Sequence, residues 1–175
     1  HPYIETHDLE GGQWDPLDGD IDPAQLTQAL ARGAKNNGGK IIRFCPATNA
    51  KRVNDEWLIT TPEGDITCEY VVNAAGYRAA EVGKMFGRNV PCVSLAHQYL
   101  ITEPIPELEA NKYKVPLLRD PDSSYYLRQE KNGLLLGPYE KNCRAHWTTS
   151  DDPMPEDFSF QLYNDDLERL EWYIE

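Results

Sequence analysis

Long apolar runs, an excess of basic charge, paired cysteines and the common nucleotide-binding loops are all missing from this sequence, and each absence excludes something. No stretch approaches the ~20 apolar residues that a bilayer-crossing helix needs, and no signal peptide opens the chain. Only 17 Lys and Arg stand against 29 Asp and Glu, a formal net charge of -12. Nucleic-acid binding needs a cationic footprint, and docking on an anionic membrane needs the same, so both are excluded as expectations. Cys45, Cys68, Cys92 and Cys143 are far apart and form no CxxC pair, which argues against a zinc site and a redox dithiol. Histidines and acids do not recur at metal-ligand spacing either, so no metal is expected. There is no GxSxG elbow, no GxxxxGK[ST] loop and no GxGxxG.

What is present is enough for a packed core: 175 residues, 40% hydrophobic and 10% aromatic. A small molecule or another protein is the expected partner. Reduced thiols, in a bacterial cytoplasm or a mitochondrial matrix, are the expected state of the cysteines. The chain opens at "HPYIETHDL" without methionine and stops within "DDLERLEWYIE", and it reads as a segment of a longer protein.

Residues 1 to 21, rich in Gly, Pro and Asp, read as an irregular lead-in. "DGDIDP" then starts a helix, with Asp22 as N-cap, Pro23 at the first helical position, and Leu26, Ala29, Leu30 and Ala34 on one face. "NNGG" stops it. "KIIRF", "NAKRVNDEWLITT" and "ITCEYVVNAAG" are β-like, with turns at "NDE" and "PEGD". Tyr70, Val71 and Val72 form a continuous apolar run that predicts a buried strand entering a tight turn into the helical "RAAEVGKMFG". Further strands are expected at 92–103, 115–119, 124–129 and 133–137, with turn composition in "EPIPELEANKYK" and "DPDS". A last helix is expected after Asn164 or Asp165, with Leu167, Leu170 and Ile174 on one face. The pattern suggests α+β, or α/β joined to an antiparallel sheet, with a break near residue 88.

Two places carry potential chemistry. The small residues of "NAAG" let backbone approach a phosphate or a flat ring, and the following helix offers free N–H groups, although such turns also serve close packing. In "SLAHQYLITE", strand alternation puts His97 on one face with Leu95, Tyr99 and Ile101. An imidazole there is either a satisfied core residue or a neutral acceptor beside an amine ligand. In "SSYYLRQ", Tyr125 falls on the opposite face from Tyr126, and it would flank the same ligand if it shared a pocket with His97.

Four blocks, "DGDIDPAQLTQALARGAKNNGGKI", "EYVVNAAGYRAAEVGKMFG", "VSLAHQYLITEPIPEL" and "LLRDPDSSYYLRQEKNGLLLGPYE", occur in that order. Together they resemble the dimethylglycine dehydrogenase, sarcosine dehydrogenase and dimethylglycine oxidase family, flavin-dependent amine oxidoreductases of the D-amino-acid oxidase superfamily. The resemblance covers almost the whole chain. It implies an α+β fragment: residues 1–88 as part of an FAD-binding α/β domain lacking its GxGxxG unit, and 89–175 as an antiparallel β-sheet substrate-binding domain.

The chemistry it implies is oxidative demethylation of an N-methylated glycine, with hydride passing from the N-methyl carbon to FAD. His97 and Tyr125 map to the substrate side of the flavin, with Tyr139 of "LGPYE" as a further substrate-binding candidate. Ala47, Ala74, Ala75 and Gly76 map to the cofactor side. Relatives commonly carry Phe-Trp or Ala-Trp after that glycine, where this chain has Tyr77 and Arg78. By the same resemblance most of the FAD is held outside this segment, so the segment alone should bind it poorly and not turn over. Tetrahydrofolate as one-carbon acceptor, and an electron-transfer flavoprotein or oxygen as electron acceptor, are implied for the full-length protein. Sarcosine or another secondary or tertiary amine is the alternative substrate, and a non-catalytic regulatory homologue is the alternative class.

Overall fold

The computed structural model of the chain describes residues 1–149 and 151–174. It is a mixed helix and sheet protein built from small antiparallel sheets. The chain forms two compact units: Asp22–Ser94 with Trp147–Ser150, called here the hairpin unit, and His1–Ile21, Leu95–His146 and Asp151–Glu175, called the sheet unit.

The hairpin unit opens with α1 (Pro23–Asn36), which begins where its sequence says: the Asp22 carboxylate accepts from the Gln25 backbone N–H at 2.9 Å, with Pro23 behind it. The expected apolar stripe is not covered, since no residue of α1 is buried and Leu30 is 65% exposed. A meander follows, β1 (Asn49–Val53), β2 (Glu56–Thr61) and β3 (Gly64–Cys68), paired antiparallel in sequence order. Val53 pairs with Glu56 across Asn54 and Asp55, both at positive φ, the two-residue turn whose twist matches that of the strands.

"KIIRF" and Tyr70–Val72 depart from expectation, because neither is a strand. Ile42 is 58% exposed and Val72 87% exposed. A strand exists only if a neighbour takes up its backbone groups, and no described strand pairs with either run. The helix after "NAAG" does form, as a 3-10 turn over Gly76–Arg78 leading into α2 (Ala79–Met85). Gly83 is the buried residue of α2 and lies so close to Val90 that a Cβ there would clash with it. Trp57 meets Phe86 edge-on, 4.8 Å between ring centres.

The predicted strand 92–103 is two short pieces, β4 (Ser94–Ala96) and β5 (Leu100–Ile101), and the sheet unit resumes at Leu95. "EPIPELEANKYK" is not all turn: Pro106 starts the short helix α3 (Pro106–Ala110), which buries Leu108. Then come β6 (Leu118–Asp120), β7 (Tyr125–Glu130), β8 (Gly133–Pro138) and β9 (Arg144–His146). The main sheet is antiparallel in the order β5-β8-β7-β6, and β4 pairs with β9. Asp120 shapes the β6–β7 turn, its Oδ1 accepting from the N–H groups of Asp122 and Ser123. Leu108, Val115 and Leu134 form the core, with Tyr3, Ile105 and Leu127 packed against it. The last helix starts later than predicted, as a 3-10 turn over Leu167–Leu170 followed by α4 (Glu171–Ile174). Of its predicted face only Leu170 is buried.

The lead-in is tied to the sheet by charge. The Asp20 carboxylate accepts from Lys114 Nζ at 2.5 and 2.7 Å, with Arg128 Nη1 3.7 Å away and itself paired to Glu130. The Lys114 hydrogen bond, aided by both cations, holds Asp20 below the usual carboxylate range. A carboxylate whose folded value is depressed stabilises above its unfolded value and loses that contribution as pH falls through the folded one. Asp20→Asn should therefore be less stable than wild type above about pH 4, with the difference vanishing at lower pH; denaturant melts at several pH values measure it.

Gly137 on β8 sits opposite Tyr126 on β7, and a Cβ at Gly137 would overlap the Tyr126 ring. Gly137→Ala should cost about 1–3 kcal/mol, the range for overfilling a packed site, unless Tyr126 is also made small, and paired single and double variants in chemical denaturation would show that rescue.

Candidate active site around His97

The alternation of "SLAHQYLITE" survives in the structure with its sides reversed. Leu95, Tyr99 and Ile101 are each about half exposed, at 50%, 57% and 51%, while Ser94, Ala96, Gln98 and Leu100 are half-buried. The apolar stripe that holds His97 is the open face, so the imidazole is not a core residue.

Two consecutive residues just past β8 flank that imidazole. His97 Nδ1 lies 2.7 Å from Oε2 of Glu140, whose side chain is only 4% exposed. The Tyr139 ring meets the His97 ring edge-on, 5.4 Å between centres, and Tyr126 follows at 6.0 Å from Tyr139. The His97 side chain itself is 31% exposed. The carboxylate occupies Nδ1, so Nε2 is the ring nitrogen that faces away from Glu140 and is left for a ligand.

The backing of this pair comes from distant sequence. Arg169 Nη1 stands 4.0 Å from Oε1 of Glu140, and Arg169 Nε donates to Asp166 at 2.7 Å. The Gln98 side chain both donates to the Asp166 carbonyl, at 2.6 Å, and accepts from its N–H, at 3.2 Å, so one amide stands in for a strand neighbour.

Of the predicted substrate-side residues, the structure brings His97 and Tyr139 together. Tyr125 starts β7 on the face opposite Tyr126 and makes no ring contact with His97. Burial, with the Asp120 carboxylate opposite, pushes its phenol above the usual 10, so it remains a protonated donor at neutral pH. Glu140, Arg169, Gln98 and Tyr126 went unrecognised as site residues. None of the four left a local signal: even Glu140, directly after Tyr139, is an ordinary acid at a strand end.

The cofactor-side candidates lie in the hairpin unit. Ala47 is exposed, just before β1. Ala74 and Gly76 are exposed and Ala75 half-buried, in a loop closed by Asn73, whose side chain donates to the Ala79 carbonyl at 2.9 Å and accepts from the Ala75 N–H at 3.3 Å. Gly76 has φ +57, and nothing lies within 4 Å of where its Cβ would be. Open, small and positively twisted, this loop fits the approach of a flat ring. The expected free N–H groups are less available, because the 3-10 turn engages the Arg78 N–H with the Ala75 carbonyl at 3.0 Å. Arg78 also stacks over Tyr77 and pairs with Glu81 at 3.0 Å. A pocket of about 560 Å³ in this unit, lined by Arg52, Trp57, Glu69 and Tyr70 among others, contains none of the predicted site residues.

Among the described residues no group of three His, Cys, Asp or Glu could hold a metal ion, and no helix is long and apolar enough to cross a membrane.

Comparison with known proteins bears on the whole chain. It is 41% identical over 99% of its length to mouse mitochondrial dimethylglycine dehydrogenase, and 34% identical over its full length to human mitochondrial sarcosine dehydrogenase. It is also 32% identical, over 85% of its length, to the mouse mitochondrial pyruvate dehydrogenase phosphatase regulatory subunit. The chain spans about one fifth of the length of these relatives, 20%, 19% and 17% respectively. The family model described as DAO, FAD dependent oxidoreductase, matches residues 1–171, and the chain belongs to that family.

Proposed function

We propose that the protein performs FAD-dependent oxidative demethylation of an N-methylated glycine, with dimethylglycine as the preferred substrate. The observation that carries this reading is the His97–Glu140 pair, 2.7 Å apart and edge-on to Tyr139, in a member of an FAD-dependent oxidoreductase family. Sarcosine or another secondary or tertiary amine is the alternative substrate, supported by the similarity to sarcosine dehydrogenase.

FAD, when bound, supplies the two-electron sink that receives hydride from the N-methyl carbon. An ammonium nitrogen has no lone pair to stabilise the carbon left behind, so the amine must first lose its proton. His97 Nε2 takes that proton, and the resulting imidazolium stays paired with Glu140. Tyr139, against the imidazole, bounds the substrate side; Tyr125 keeps a protonated phenol, but it lies on the opposite face of β7 from Tyr126 and is given no part in this step. Water then adds to the iminium and releases formaldehyde, unless tetrahydrofolate captures the one-carbon unit. Ala47, Ala74, Ala75 and Gly76 are the residues of this chain that would lie along the cofactor.

The finer architecture belongs to the same proposal: residues 1–88 as part of an FAD-binding α/β domain and 89–175 as a substrate-binding antiparallel sheet. The chain's compact units change over at Ser94–Leu95, and they group His1–Ile21 with the sheet. An electron-transfer flavoprotein or oxygen would reoxidise the flavin, in a mitochondrial matrix or a bacterial cytoplasm.

The similarity to a phosphatase regulatory subunit favours a second reading, a non-catalytic homologue. Against it stands the open imidazole on a buried carboxylate, an arrangement that a purely structural subunit does not need. In the full-length protein, His97→Ala should lower kcat/KM for amine oxidation about 100-fold or more, the scale of a positioned proton acceptor. Activity on neither dimethylglycine nor sarcosine would remove the enzymatic reading, and an unchanged His97→Ala would return that residue to a structural role. The 175-residue chain expressed alone should purify colourless, without flavin absorbance; a retained flavin spectrum would contradict the view that most of the cofactor is held elsewhere.

A further inference from the structure

We propose that Glu140 is the positioning residue of the reaction: it locks His97 in the tautomer that carries its proton on Nδ1, so that Nε2 faces the substrate as an acceptor. The inference rests on the proposed amine chemistry and extends it to a residue that does not touch the reacting atoms.

Geometry carries it. A carboxylate can only accept, so at 2.7 Å from Nδ1 it admits a neutral imidazole in one tautomer alone. Glu140 is held in place to do this. Its side chain is 4% exposed, one oxygen meets His97, and the other points toward Arg169 Nη1 at 4.0 Å without a hydrogen bond of its own. Arg169 in turn is fixed by Asp166 and by the Ala96 carbonyl, 3.4 Å away and next to His97 in sequence. The charged groups around the imidazole are therefore Glu140 first, with Arg169 and Asp166 behind it. Tyr139 closes one side of the ring.

The substitution Glu140→Gln separates shape from acceptor character. The amide oxygen is drawn to the Arg169 side, which turns the NH2 group toward Nδ1. That nitrogen must then accept, and the proton moves to Nε2, where it blocks uptake of a proton from the amine.

The test uses the full-length holoenzyme with 15N-labelled histidine, the His97 resonances being identified by their loss in His97→Asn. In wild type, the neutral ring should carry its proton on Nδ1. In Glu140→Gln it should carry it on Nε2, and flavin reduction at saturating amine should slow about 100-fold or more, as when a working histidine base is left in the wrong tautomer. A wild-type ring protonated on Nε2 overturns the proposal, and so does an unchanged tautomer or an unchanged rate in Glu140→Gln. If Glu140→Gln does not fold, the wild-type tautomer decides the matter. Amine oxidation that survives His97→Ala, with the Nδ1 proton still found in wild type, would overturn the catalytic reading of His97 and leave the hold of Glu140 on the ring intact.

Discussion

The buried carboxylate of Glu140 is the constraint around which the sheet unit's open face is arranged. Stripping water from a carboxylate costs several kcal/mol in real proteins, and the chain offsets this with His97 on one oxygen and the Arg169 charge beside the other. Each partner imposes a demand of its own. The imidazole has to leave the regular strand, which breaks between Ala96 and Leu100. The guanidinium has to be carried in on the 3-10 turn Leu167–Leu170, and Gln98 and Leu170 seat that turn. Removing water from one side chain thus organises three separate stretches of sequence.

What could be read from the sequence was local. Asp22 with Pro23 marks a helix start whatever surrounds it, and Asn54–Asp55 makes its hairpin from backbone preference alone. Burial was not legible in the same way. Periodicity says which side chains share a face, not whether another element covers that face. Leu30 on α1 and the Leu95, Tyr99 and Ile101 stripe follow their patterns and are nonetheless exposed. Tyr70–Val72 failed for a related reason, because a run of apolar residues is a strand only when a partner strand satisfies its backbone. At the site, His97 stood out as an odd residue in an apolar stripe. Its partner Glu140 did not, since an acid at a strand end is ordinary, and Arg169 sat in what reads as a solvated helical face.

The chain supplies its two units with different chemistry. The hairpin unit offers small residues, an open glycine at positive φ and a loop closed by Asn73, features suited to letting something flat come near. The sheet unit offers polar side chains with fixed partners, features suited to holding a proton at one atom. Both sets fall within residues 1–171, the part of the chain that matches the FAD-dependent oxidoreductase family.

The Gln98–Asp166 clasp has a consequence for how the site comes into being. Its two hydrogen bonds join residues 68 apart in sequence, and the His97–Glu140 contact spans 43. Contacts at such separation must first overcome the entropy of closing long loops, which the hairpins on either side do not face to the same degree. The local hairpins β1-β2-β3 and β6-β7-β8 can therefore assemble early and independently. The imidazole is oriented by Glu140, and Glu140 is backed by Arg169, so the ring's alignment reports on the most distant contacts of the sheet unit.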